Sequence, residues 1–302
     1  MSSGILETSK GLLSRIVSMV PYRWRMMLPL LLVLGVIVAY PLGYSLWLSL
    51  RDFEILQRTD VSFVGVEQYA QLLSDRDYLA AMRNTFVFVA VAVSLELVIG
   101  LALALTLRRQ RFVRNLTRSL LLTPMFVTPI AVGLMFRFLL DDQLGVIPQL
   151  LDKVGISIPF FSAKLALFSL ALIDVWQWTP FMLLLLLAGL ESLPEQPFEA
   201  ARVDGASAWM TFTRVTLPLL RPIIVVAVLI RSLDALKVFE YVFAITQGGP
   251  GTATETIQFH IYRTGFQFYR LSEAAAMAWT LMIVVMVIIV ALFWRFTKGQ
   301  QR

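Results

Sequence analysis

The chain has 302 residues, 58% of them hydrophobic and 15% charged, with a mean hydropathy of +0.75 and a formal net charge of +6. Ordinary soluble domains are about 45–50% apolar and about 25% charged, so this composition excludes one and points to a chain solvated by lipid. The absence of cysteine and the single histidine, His260, exclude a disulfide scaffold, a thiol nucleophile and zinc sites built on cysteines or paired histidines.

A spanning helix needs about 20 mostly apolar residues to cross a hydrocarbon core of about 30 Å. In chain order six stretches qualify: Met26 to Leu50, Thr85 to Leu107, Ser119 to Leu140, Leu165 to Leu190, Ile223 to Thr246 and Ala274 to Phe296. They predict an all-α membrane protein in which an N-terminal segment, 1–25, precedes one six-span domain, 26–302. The first stretch is too long for a removed signal peptide and its flanks lack a small-residue cleavage site, so it is expected to stay as a helix. Pro41, Pro124, Pro129 and Pro180 fall inside apolar stretches, where each removes a backbone bond and favours a kink. Such bends either wrap a cavity or only shape packing, and both readings stand.

Alternate loops differ in basic content. The N-terminus, second loop, fourth loop and tail carry fifteen Lys and Arg, the remaining loops eight. Cytoplasmic segments keep the basic excess, which predicts both termini in the cytoplasm. The positive charge is then mostly anchoring at the inner leaflet, and no basic soluble domain is left to bind nucleic acid. The run Arg108, Arg109, Arg111, Arg114 and Arg118 has no acidic residue within it. It reads as a topology signal or as a site for a lipid or regulator.

The loop at 191–222 has its own architecture. Ser192 with Glu195 three residues on forms a candidate capping box, and Pro194 is tolerated in a first turn. Asp204 and Gly205 should break that short helix, because glycine takes the positive φ of a sharp reversal. A second short helix is expected from Ala206 to Leu217 and Pro218. Ala200 and Ala201 permit close approach, while Phe198, Val203, Trp209 and Phe212 offer apolar knobs to a partner. In the fifth span Arg231, Asp234, Lys237 and Glu240 recur every third residue with alternating sign, which on a helix permits a ladder of ion pairs. Charges at this depth cost at least about 2.5 to 3.5 kcal/mol each, so the row should face the interior, either as part of a translocation path or as a structural ladder between subunits.

Two sets of residues resemble a known family. Glu199-Ala200-Ala201, then Gly205, then Val215, Thr216, Leu217 and Pro218 resemble the EAA loop in permease subunits of binding-protein-dependent ABC importers. Asn84-Thr85-Phe86, the stretch from Lys237 to Gly248-Gly249-Pro250, Thr254-Glu255-Thr256 and Ile261-Tyr262 are similar to its maltose-type, carbohydrate-importing branch. The resemblance implies a type I ABC importer permease fold with a two-helix cytoplasmic coupling loop. In that family the loop sits in a cleft of the ATP-binding subunit, which places Glu199, Ala200, Ala201, Asp204, Gly205, Leu217 and Pro218 in coupling.

Matched on Gly248-Gly249-Pro250 and on Pro180, the resemblance also places Gln177, Trp178, Phe181, Asp234 and Lys237 along the substrate path. An indole beside amide and charged donors suits a sugar, with its apolar faces and hydroxyl edges. Trp176 and Trp178 read equally as packing residues, Asp174 as a hydrogen-bond partner inside its helix, and Arg137 as a side chain snorkelling to water. The implied function is import of a carbohydrate or polyol-like solute across a bacterial inner membrane by a subunit that is not itself an enzyme. Implied partners are a second homologous permease, two ATP-binding subunits and an external solute-binding protein. None of the five lysines precedes Ser or Thr, so no GxxxxGK[ST] phosphate loop exists, and ATP with Mg is expected in the partner subunits alone. An ion-driven secondary transporter half, using Asp234, Lys237 and Glu240 as a proton relay, stands as the alternative.

Overall fold

The computed structural model describes residues 22–53, 62–109 and 114–300. Most of the 1–25 segment therefore lies outside the described residues, as do Arg58, Arg111 and Arg302 of the basic count. Helix α1, Tyr22–Leu34, passes through a π-turn at Gly35–Ala39 into α2, Tyr40–Ser49. Pro41 cannot donate to the carbonyl four residues back, and the wider turn just before it absorbs that mismatch. Strands β1, Arg51–Asp52, and β2, Ser62–Phe63, pair antiparallel. The short α3, Glu67–Leu72, then leads to α4, Arg76–Arg109.

Helix α4 starts nine residues before the expected Thr85 because Asp75 caps it, its Oδ1 accepting from the backbone of Asp77 at 2.8 Å and Tyr78 at 3.4 Å. Its 34 residues span about 50 Å, well beyond the bilayer core.

The third span is not one helix. Helix α5, Arg114–Leu122, gives way to a 3₁₀ turn at Thr123–Phe126 and then to α6, Pro129–Leu139, and the two apolar arms meet at 98°. Pro124 and Pro129 remove two donors within six residues, and the extended backbone of Val127 and Thr128 forms the corner. Helix α7, Val146–Asp152, precedes α8, Ala166–Glu191, the most deeply buried span. After α9, Gln196–Val203, and α10, Ala208–Thr211, a π-turn at Phe212–Thr216 leads directly into α11, Leu217–Ala235.

The fifth span thus begins six residues early and stops at Ala235, eleven before the expected Thr246; a turn at Leu236 and Lys237 separates it from a π-turn at Val242–Thr246. Helix α12, Ile257–Tyr262, and a π-turn at Arg263–Gln267 lead to the last span, α13, Leu271–Gln300.

The core lies between α4, α8 and α11. Phe88, Ala92, Ala104 and Leu107 of α4 are buried together with Met182, Leu183, Leu186 and Leu190 of α8. In lipid, helices gain little from apolar burial and rely on close contact, so small residues mark the seams. A Cβ at Gly189 would stand 2.8 Å from the Ile223 side chain, so side chains of α11 rest directly on the α8 backbone there. The first span differs, being exposed over its apolar length from Met26 to Tyr44.

Candidate coupling and translocation sites

Loop 191–222 folds as a hairpin, but its capping is not the expected one. Ser192 turns its hydroxyl back to donate to the Gly189 carbonyl at 2.8 Å, and Glu195, the residue before α9, makes no side-chain cap. The spacing suited a capping box, yet Ser192 ends α8 instead of starting α9. Pro197 and Glu199 occupy the first turn of α9, where a missing donor costs nothing and a carboxylate meets the positive end of the helix dipole.

The far end of α9 behaves as expected. Gly205 takes φ +69°, its N–H bonds the Arg202 carbonyl at 3.1 Å, and Ala206 N–H bonds the Ala201 carbonyl at 2.9 Å. These two bonds are a Schellman closure that only a left-handed residue completes cheaply. Ser207, which the sequence reading passed over, caps α10 by accepting from Met210 N–H at 3.3 Å. The second arm does not end at Leu217 and Pro218: both sit in the first turn of α11, where proline is tolerated, so the arm runs on into the fifth span. Ala201 is buried, whereas Glu199, Ala200, Asp204 and Gly205 are exposed. Val203 and Trp209 stand out at 88% and 73% exposure.

At the other end of α11 the expected charge ladder is replaced by a cluster. Arg231, 1% exposed, donates from Nε and Nη2 to the two oxygens of Glu96 at 2.8 and 3.0 Å, also from Nη2 to Asp174 Oδ2, and from Nη1 to Asp234 Oδ2 at 3.0 Å. The guanidinium carbon also stands 5.2 Å from the Trp178 ring centroid. A planar fork bound on several edges is what a buried arginine needs, since each unpaired edge would keep its desolvation cost. Only the Arg231 to Asp234 rung of the ladder exists, because the helix ends one residue beyond Asp234. Lys237 and Glu240 leave the helical row and make no ion pair among the described residues.

Glu96 was the residue missed. Its signal was present: it is the sole ionisable side chain from Phe86 to Leu107, buried at 0% exposure.

Gln177 is also fully buried, donating to the Val127 carbonyl at 2.6 Å and accepting from the Tyr241 hydroxyl. Val127 lies at the corner of the broken third span, where a carbonyl has lost its helical donor, and Gln177 supplies one. Of the five residues assigned to the path, Trp178, Asp234 and Lys237 line a cleft of about 190 Å³, together with Pro129, Asp174, Arg231, Glu240 and Tyr241. Phe181 meets Trp178 edge to face at 6.5 Å and stands outside that lining. Trp176 packs edge to face on Phe136 at 5.3 Å. Arg137 is exposed and donates to the Ala244 carbonyl at 3.2 Å, tying the end of α6 to the π-turn at Val242–Thr246.

The distant motif residues come together. Asn84 donates to the carbonyls of Thr252 and Glu255 at 3.0 and 3.1 Å, and Thr85 accepts from Ile257 N–H at 2.8 Å. Glu255, buried, holds His260 Nδ1 at 2.6 Å and Arg263 Nη2 at 2.9 Å. The Gly248-Gly249-Pro250 loop is thereby pinned to the start of α4.

A long apolar bundle with a broken third span and an excursion between its fourth and fifth spans is the architecture of a multi-pass transport permease. Residues 96–297 match the family described as binding-protein-dependent transport system inner membrane component, and the chain belongs to that family. The probable ABC transporter permease protein y4oQ of Sinorhizobium fredii is 37% identical over 272 residues, covering 89% of this chain and 87% of that one. The trehalose/maltose transport system permease protein MalF of Thermococcus litoralis is 34% identical, covering 82% and 83%. In fold the chain is similar to a bacterial ABC transporter involved in the import of the acidic polysaccharide alginate, with TM-score 0.78 and 23% identity over 91% of this chain and 94% of that one. The type I importer fold and a transport rather than enzymatic role follow, and the ion-driven alternative is set aside.

Proposed function

We propose that the chain is one of two homologous permeases in an importer that takes a carbohydrate or polyol-like solute from an external binding protein, powered by two ATP-binding subunits that hold the ATP and Mg. The observation that carries this reading is one continuous helical run, Ala208–Ala235: α10, the π-turn and α11 join the exposed hairpin to the charged cleft. In it Glu199, Ala200, Ala201, Asp204, Gly205, Leu217 and Pro218 couple to the ATPase, while Trp178, Asp234 and Lys237 face the solute and Gln177 and Phe181 support them. A relative named for trehalose and maltose supports the solute class. The excess of basic residues supports placing both termini and loop 191–222 in the cytoplasm.

Glu199→Lys and Gly205→Pro should each abolish ATP-dependent uptake and weaken co-purification of the ATP-binding subunit while the chain still reaches the membrane. Undiminished association and wild-type coupled ATPase in both variants would remove the loop from coupling. For orientation, a cysteine at Ser207 should resist an impermeant thiol reagent in intact cells and one at Ser74 should react; the reverse pattern would invert the topology.

A further inference from the structure

Between the end of α4 and the α9 and α10 hairpin lies an open groove of about 1070 Å³, whose lining includes Ala102, Leu105, Arg108, Phe198, Arg202 and Trp209. We propose that it is a docking site for an anionic phospholipid of the leaflet on that side, with the headgroup phosphate between Arg108 and Arg202 and the upper acyl chain against α4.

Three observations converge on a lipid. First, the charge is of one sign: the lining holds two guanidiniums and no carboxylate, and neither arginine has a carboxylate partner among the described residues. The lining hydroxyls are already committed, since Thr106 donates to Ala102, Thr211 to Ser207 and Thr216 to Thr211. A ligand is therefore offered guanidinium donors and apolar surface, and little else. Second, the guanidinium carbon of Arg108 lies 5.2 Å from the Phe198 ring centroid, and a guanidinium resting on a ring leaves its N–H edge open for the bidentate contact a phosphate prefers. Third, Ala102 and Leu105 belong to the last turns of a spanning helix. Both fall inside the apolar stretch Thr85 to Leu107 that predicts this span, so the groove is continuous with the kind of surface that acyl chains cover. Basic pockets beside spanning helices are where anionic headgroups are held. The inference needs only that this loop flanks the bilayer, so it stands whether or not the hairpin couples to an ATPase.

The test uses the complete complex in nanodiscs of phosphatidylcholine with phosphatidylglycerol as minor component. After extraction in mild detergent, the phospholipid retained is read by native mass spectrometry. The wild type should retain phosphatidylglycerol above its share of the bilayer. R108Q/R202Q should lower that retention by about tenfold or more, the loss expected when charge-assisted bonds to a phosphate are removed. Ala208→Phe, which fills the groove and keeps both arginines, should lower it as well. Wild-type retention in both variants would overturn the proposal. So would a cysteine at Leu105 that cross-links to the ATP-binding subunit in preference to a phosphatidylglycerol carrying a photoreactive acyl chain. Loss of the ATP-binding subunit from the wild-type complex with lipid retention intact would instead count against the coupling role and leave the lipid site standing.

Discussion

In loop 191–222 Glu199, Arg202 and Asp204 stand exposed, whereas Glu96, Asp174 and Arg231 are sealed among three helices with the guanidinium bound on three of its edges. The medium sets the difference. Water screens the loop charges, so each is cheap to hold and remains available to a partner chain. In the bilayer the same charges must satisfy one another, and removing one leaves the others stranded. The loop should therefore tolerate change until a partner is involved, and the cluster should not tolerate it at all.

The largest effect expected from that contrast is at Arg231. Arg231→Met leaves Glu96 and Asp174 buried without a cation, a loss of about 3–5 kcal/mol for a broken buried pair. Little monodisperse protein should survive size-exclusion chromatography in detergent. A monodisperse Arg231→Met protein melting like the wild type would show that water reaches the cluster and that the contrast is overstated. An intermediate effect is expected at Gln177, which bridges the Val127 carbonyl and the Tyr241 hydroxyl. Gln177→Leu should cost about 1–3 kcal/mol for the polar groups left unpaired, read as a lowered melting temperature. If uptake were lost without any thermal shift, Gln177 would belong to the path after all. The smallest effect is at Ser207, where Ser207→Ala removes one exposed cap worth about 1 kcal/mol. Stability should fall slightly and transport stay near wild type; a collapse in transport would mean that the α10 start is itself a contact.

The same contrast explains what was legible. Gly205 could be read because the reversal it makes is local, and the chain offers no other residue there able to take φ +69° cheaply. The 98° corner in the third span was half legible: Pro124 and Pro129 were visible, but apolar windows average over a bend. Ser192 and Glu195 fitted a capping pattern, and a closer acceptor, the Gly189 carbonyl, took the hydroxyl. The partnership of Glu96 with Arg231 joins residues 135 positions apart. Spacing within one helix instead pointed to Lys237 and Glu240, which the turn after α11 carries away. Local signals foretold elements and their ends; pairing across helices needed the third dimension.

The unbroken run from Ala208 to Ala235 also has a mechanical meaning. It covers 28 residues, about 42 Å of helix, and its Ile223 side chain lies against α8 at Gly189, where there is no room for a Cβ. That contact divides it into arms of about 22 Å toward the hairpin and about 18 Å toward the cleft. A rod turning about such a fulcrum moves its two tips in opposite senses, the cleft tip about four fifths as far as the other. Any tilt imposed at the exposed tip would arrive at Asp234 reversed in direction and about three quarters as large.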